Sequence, residues 1–214
     1  MQSRAAGPTL DYIQRTFVRE PDWLSSARAE GERRHPGMQV SPYEGHLLRW
    51  LVSVSGARRI LEIGTFMGCS TLWMADGLTE SGHITALEFA ADHAAQAQQH
   101  FAQSPHAARI TVHHTDAHAW LAAQPQTPQF DMVFIDAEKA GYARYLDAAL
   151  PLLTPRGWII GDNTLLFGEL ATMQEPKNAA QQSMQQFNAA LANAERFESV
   201  LLPTPEGLTV ARLK

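Results

Sequence analysis

From Arg58 onward, short unbroken apolar runs alternate with longer stretches whose apolar residues recur every three or four positions. The runs Ile60–Ile63, Ile84–Glu88, Ile110–Val112, Asp131–Asp136 and Trp158–Asp162 predict five strands, and the stretches between them predict helices over about 70–78, 91–103, 117–123 and 140–153. Strands this continuously apolar are covered on both faces. The alternation therefore predicts an α/β fold, a doubly wound parallel sheet with right-handed crossovers. Beyond a long segment from Thr164 to Asn178 and a helix to about Asn193, Phe197–Leu202, the turn Pro203–Gly207 and Leu208–Leu213 predict a closing hairpin. The first fifty-odd residues contain no strand-like run. They predict helices over about Leu10–Arg19 and Trp23–Arg34, interrupted by His35-Pro36-Gly37. A third helix opens at Ser41-Pro42-Tyr43-Glu44, with Ser at the cap, Pro at the first turn and Glu three residues after the cap, and is expected to run to about Ser55.

The chain has 214 residues, 45% of them hydrophobic and 18% charged, which suits one domain and excludes a disordered or low-complexity chain. Residues 1–56 form its expected helical layer and 57–214 its α/β core. A net charge of -5 gives no general attraction to phosphate backbones or anionic lipid. The single cysteine, Cys69, can form neither an internal disulfide nor a multi-cysteine zinc site. Met1–Arg4 leads into polar sequence, and no run of about 18 apolar residues is present. The expectation is a cytoplasmic protein with no membrane partner.

In an open parallel sheet, ligands bind at the carboxyl ends of the strands, so the polar residues there carry the chemistry. The first strand runs into Gly64-Thr65-Phe66-Met67-Gly68-Cys69-Ser70. This is not the dinucleotide pattern: Phe66 stands where that fingerprint has its second glycine, and Glu62 lies inside the strand. Glu88 closes the second strand and is suited to accept hydrogen bonds from both hydroxyls of a ribose, the bland alternative being an exposed strand-end glutamate. Asp116 either caps the helix after the third strand or reaches an adenine amino group. His113 and His114 point to opposite faces of a strand and are not expected to share an ion, and the other seven histidines are expected at the surface. Asp136 and Asp162-Asn163 follow neighbouring strands. Their oxygens suit a hard divalent cation such as Mg²⁺, and the plain alternative is Asp136 as the cap of the helix at Lys139 and Asp162-Asn163 opening a turn.

At these residues the sequence resembles the cation-dependent, S-adenosylmethionine-dependent O-methyltransferases that include catechol and caffeoyl-CoA O-methyltransferases. The shared elements stand in the family's order: Met38-Gln39-Val40-Ser41, Glu62-Ile63-Gly64-Thr65 with Gly68 and Ser70, Glu88, Asp116-Ala117, Asp136 to Tyr142, Gly161 to Leu165, and Leu202-Pro203 with Glu206 to Thr209. The resemblance implies a Rossmann-like class I methyltransferase sheet of seven strands in the order 3-2-1-4-5-7-6, the last antiparallel. It implies a cofactor site at Met38, Val40, Glu62, Gly64, Thr65, Ser70, Glu88, Asp116, Ala117, Asp136 and Glu138. Asp136, Asp162 and Asn163 would bind the metal, Mg²⁺ first and Mn²⁺ or Ca²⁺ as substitutes. Lys139 matches the family's proposed general base, although an ordinary lysine of pKa about 10.4 is a poor base at neutral pH, so it serves either as base or as an orienting charge. Cys69 and Glu138 stand where relatives often have Tyr and Asp. The implied acceptor is a hydroxylated aromatic small molecule with vicinal hydroxyls, and the implied assembly is a homodimer. The alternatives are a hydroxylated uridine in tRNA as acceptor, or a non-catalytic regulator.

Overall fold

The computed structural model describes residues 7–214, so the Met1–Arg4 start lies outside the described residues. Seven strands, β1 Arg59–Ile63, β2 His83–Glu88, β3 Ile110–His114, β4 Phe130–Ile135, β5 Leu153–Gly161, β6 Phe197–Leu202 and β7 Leu208–Leu213, form one sheet in the order β3-β2-β1-β4-β5-β7-β6. The first five strands pair in parallel, and β7 inserts antiparallel between β5 and β6. The helices are α1 Pro8–Phe17, α2 Asp22–Arg34, α3 Pro42–Ser55, α4 Cys69–Gly77, α5 Ala91–Ala102, α6 Ala117–Ala122, α7 Tyr142–Ala149, α8 Glu169–Thr172 and α9 Ala179–Leu191. Among the described residues no helix is long and apolar enough to cross a membrane.

The period-two alternation of the strands sends neighbouring residues into two separate cores. Ile60, Ile84, Met132, Phe134 and Ile160 face one side, where Leu72 and Trp73 of α4 join Leu48 and Val52 of α3 and Leu24 of α2. Leu61, Ile63, Val133, Ile135 and Ile159 face the other, against Tyr142 and Leu146 of α7 and Met184 and Phe187 of α9. Helices α2 and α3 thus share a core with the sheet, whereas α1 buries no residue in it. At the start of α3, Ser41 Oγ accepts the Glu44 N–H at 3.2 Å and Glu44 Oε2 accepts the Ser41 N–H at 3.1 Å, the reciprocal cap that the spacing predicts.

Three expectations are corrected. The helix over 140–153 is broken into a 3₁₀ turn at Lys139–Gly141, α7, and a second turn at Leu150–Leu152, because Pro151 cannot continue an α-helix. Strand β5 begins at Leu153 rather than Trp158; residues 154–157 bulge out between the pairs Phe130–Leu153 and Met132–Trp158, with Arg156 at φ 63°. Two of the seven histidines expected at the surface, His100 and His106, are buried. His100 Nδ1 bonds the Met67 carbonyl at 2.8 Å, and His106 packs edge-on against Trp23. A ring nitrogen with a local partner can be buried at little cost, and that partner is not visible in sequence.

Candidate active site

The register of the three central strands builds the site. Ile63 of β1, Ile135 of β4 and Gly161 of β5 lie side by side, so the residues one step beyond them, Gly64, Asp136 and Asp162, form a row across the carboxyl edge of the sheet. The ladder continues into that row: Asp136 N–H donates to Ile63 O at 2.9 Å and Asp162 N–H to Ile135 O at 3.0 Å. Gly64 and Thr65 N–H both donate to Leu87 O, which ties the turn after β1 to the end of β2. Gly64 adopts φ 89°, and a Cβ there would stand 2.3 Å from the Asp136 carbonyl oxygen, so only glycine allows this approach.

A cavity of about 750 Å³ opens over this edge. Of the residues expected from sequence, Met38, Gly64, Glu88, Asp116, Ala117, Asp136, Glu138, Lys139 and Asn163 line it. Val40, Thr65 and Ser70 line a small adjoining recess that shares Met38, Gly64 and Asp136 with the main cavity. Glu62 and Asp162 line neither. Glu62 is 0% exposed beneath the turn, where it accepts Ser70 Oγ–H at 2.5 Å and also the Thr71 hydroxyl, so it reaches the recess through Ser70. Glu88 is not a free strand-end carboxylate: it accepts the Phe66 N–H at 2.8 Å and the Ala90 N–H at 2.9 Å. Asp116 caps α6 through the Ala119 N–H at 2.8 Å while also lining the cavity. His113 lies against Trp120, and His114 bonds the Phe89 carbonyl.

Burial pushes the Glu62 carboxyl up to about 7 from its ordinary 4.5, against the opposing pull of the Ser70, Thr71 and Thr65 hydroxyls. The folded chain therefore holds this proton more tightly than the unfolded chain. The resulting stability is complete below about 4.5 and is lost as pH rises through about 7. Glu62→Gln, which has no proton to lose, is expected to gain on the order of 2 kcal/mol relative to wild type between pH 5 and pH 8. Urea denaturation at the two pH values measures this, and identical pH profiles would show that ionised Glu62 is tolerated in the fold.

Asp136 caps no helix, which removes its plain reading, whereas Asp162-Asn163 does open a turn, with Asn163 O accepting the Leu166 N–H at 2.8 Å. Lys139 Nζ lies 2.8 Å from Asp136 Oδ1 and 3.0 Å from the Tyr142 hydroxyl. That hydroxyl is anchored on the carbonyls of Ile135 and Asp162, at 3.0 and 2.8 Å. Asp162 is 3% exposed, accepts the Asn163 N–H at 2.7 Å and forms no ion pair among the described residues. Burial, then the Asp136 carboxylate, push its carboxyl well above the usual range. The Asn163 side chain commits its NH₂ group to Glu206, leaving its carbonyl oxygen as a donor. Two carboxylates and an amide oxygen, with one carboxylate buried and in no ion pair among the described residues, fit a hard divalent cation. Among the described residues no group of three or more His, Cys, Asp and Glu is arranged to hold a metal, so an ion here would draw further oxygens from water or a ligand.

Sequence reasoning assigned no role to several residues of the cavity wall. Phe66 and Phe89 come from the turns after β1 and β2, His93 from α5, and Phe167, 62% exposed, from the loop after β5. Glu206 comes from the turn between β6 and β7, where the tail motif marked it without a role. Aromatic residues in turns carry no local signal that separates cavity wall from ordinary surface.

A family model described as O-methyltransferase matches residues 16–214. A catechol O-methyltransferase of Niastella koreensis is 32% identical over 197 residues, covering 89% of this chain and 87% of that protein. Among solved structures, the O-methyltransferase TomG from Streptomyces achromogenes, which is involved in tomaymycin synthesis and was determined with SAM, superposes with a TM-score of 0.87 at 31% identity, covering 100% of this chain and 99% of that one. An O-methyltransferase from Bacillus cereus in complex with SAH gives a TM-score of 0.85 at 30% identity, covering 95% of this chain and 96% of the other.

Proposed function

Because this chain belongs to the S-adenosylmethionine-dependent O-methyltransferase family, we propose that it methylates one hydroxyl of a vicinal diphenol, with a divalent cation beside the acceptor. The observation that carries this reading is the row Gly64, Asp136 and Asp162 with Asn163 and Lys139, set at adjacent strand ends beside one cavity. Bound S-adenosylmethionine supplies the methyl group as an electrophilic sulfonium. A bound cation, Mg²⁺ first and Mn²⁺ or Ca²⁺ as substitutes, would supply positive charge that favours the ionised form of the acceptor hydroxyl.

The chain's own residues divide the work. Glu88, at the end of β2, takes the ribose hydroxyls, with Asp116 and Ala117 on the adenine side and Glu138 beside them. Its two backbone hydrogen bonds hold its carboxylate towards the cavity, so little side-chain entropy is lost on binding. Ser70 and Thr65, braced from below by Glu62, meet the amino-acid end of the cofactor, and Met38 and Val40 cover it. Asp136, Asp162 and Asn163 hold the cation. Lys139, fixed between Asp136 and Tyr142, takes the acceptor's proton or holds the phenolate by its charge; both roles need Nζ at this place. Phe167 and Met38 offer apolar surface to an aromatic ring. Methyl transfer at carbon requires the acceptor oxygen in line with the breaking bond, so a wall that fixes both partners contributes directly to rate. We read residues 1–56 and 57–214 as one functional domain of a cytoplasmic homodimer.

The test is a methyl-transfer assay with S-adenosylmethionine, Mg²⁺ and a pool of vicinal diphenols, read by mass spectrometry. The expected product is the monomethyl ether of at least one diphenol. No product from any phenol, together with turnover of hydroxylated uridine in tRNA and a steep salt dependence of binding, would move the acceptor to RNA.

A further inference from the structure

We propose that Glu206 is a positioning residue for the cation: it fixes the orientation of the Asn163 carboxamide so that the oxygen, not the nitrogen, is the donor. The proposal rests on the reading of Asn163 as a ligand and adds the residue that makes it one. A carboxamide has two ends of nearly the same shape, and only one of them can bind a cation. Left to itself, an asparagine samples both. Glu206, 3% exposed, presents a carboxylate to the Asn163 side chain and accepts the hydrogen bond from Nδ2. An ionised carboxylate only accepts, so turning the amide over would set oxygen against oxygen between two largely buried side chains.

The backbone fixes the same pairing. Glu206 O accepts the Leu165 N–H and Gly207 O accepts the Thr164 N–H, each at 2.9 Å, so the turn between β6 and β7 is laced to the loop after β5. Gly207 adopts φ 84°, and a Cβ there would stand 2.7 Å from the Leu165 backbone nitrogen, so the approach depends on glycine. Asn163 itself sits at φ 55°, a left-handed conformation that asparagine accepts better than most residues. The loop that carries the candidate ligand and the turn that orients it thus form one clamp, 43 residues apart in sequence. Supporting residues of this kind typically change metal affinity tenfold to a hundredfold when removed.

The experiment is Mn²⁺ binding by calorimetry to protein saturated with S-adenosylhomocysteine, for wild type, Glu206→Gln and Glu206→Leu. Glutamine keeps an acceptor for Asn163 Nδ2 but adds a donor that would meet a turned-over amide, so it keeps the contact and loses the lock, while leucine loses both. The expected result is a Mn²⁺ dissociation constant weaker than wild type in both variants, by about twofold to tenfold for glutamine and about tenfold to a hundredfold for leucine, with S-adenosylhomocysteine affinity unchanged in both. Wild-type affinity in the leucine variant would overturn the proposal. So would wild-type affinity in the glutamine variant, because a side chain that donates as well as accepts does not hold one orientation of the Asn163 amide. Absence of Mn²⁺ binding by wild type would overturn the ligand reading on which the proposal stands, a result separable from the other two. Should the leucine variant not fold, the Asn163 carboxamide protons in ¹⁵N-labelled wild type decide: protection from exchange supports the clamp, and free exchange overturns it.

Discussion

A vicinal diphenol is expected to be methylated with a kcat/KM about 100-fold or more above that of the matching monophenol, and Asp162→Ala is expected to remove most of that ratio along with most of the rate. Two adjacent hydroxyls offer two oxygens to one cation. A monophenol offers one, loses the acidification that comes with chelation, and must find its in-line geometry from pocket contacts alone. Asp162 is the deepest of the candidate ligands and is tied locally only to the Asn163 N–H, so its removal takes away a donor without dismantling the cavity wall. The carbonyl that anchors Tyr142 belongs to the Asp162 backbone and survives the substitution, so Lys139 keeps its place. Chelation by EDTA is expected to act in the same way on wild type, with activity returning on Mg²⁺ or Mn²⁺. The measurement is kcat/KM on caffeate and on p-coumarate for wild type and variant at matched metal. Equal wild-type efficiency on the two acceptors would reject chelation as the source of selectivity.

Gly64→Ala is expected to cost about 2–5 kcal/mol of stability and to abolish cofactor binding, the sum of a left-handed backbone forced on a side chain and of overpacking against fixed atoms. The added methyl would stand 2.3 Å from the Asp136 carbonyl oxygen and 2.9 Å from its carbon, and both belong to the main chain where β4 leaves the sheet. They cannot turn aside as a flexible side chain would. Relief comes only by parting the ends of β1 and β4, which would displace Asp136 and the turn that carries Thr65 and Phe66. Urea denaturation reads the first effect and calorimetry with S-adenosylmethionine the second. A variant with wild-type stability and affinity would show that the turn has slack that its geometry does not suggest.

Most of the strand framework was legible because a parallel sheet covered on both faces demands unbroken apolar runs, and such runs stand out against polar surroundings. The capping box of α3 was legible for a local reason, since its two hydrogen bonds join residues three apart. Pro151 stands in the sequence too, but apolar residues at helical spacing on both sides of it mask the break that its ring makes. The start of β5 was harder: Thr154-Pro155-Arg156-Gly157 has the composition of a turn, and the pairing of Leu153 beyond it is made only by Phe130.

The sequence by itself determined the order of the elements and the acids that close the strands, because topology sends every parallel strand's carboxyl end to one edge of the sheet. Asp136, Asp162 and Asn163 had to come near one another once β4 and β5 paired. Tertiary structure alone decided which partner each acid took. It put Glu62 under Ser70 and not on the cavity wall, placed the Glu88 carboxylate against the turn of β1, and buried two histidines beside chance neighbours. It also brought Glu206 onto Asn163, because β7 runs antiparallel between β5 and β6 and carries its turn back over the loop after β5. Periodicity encodes which face of an element is buried, whereas a contact between side chains of distant elements depends on sheet register and turn geometry together, which no local pattern contains.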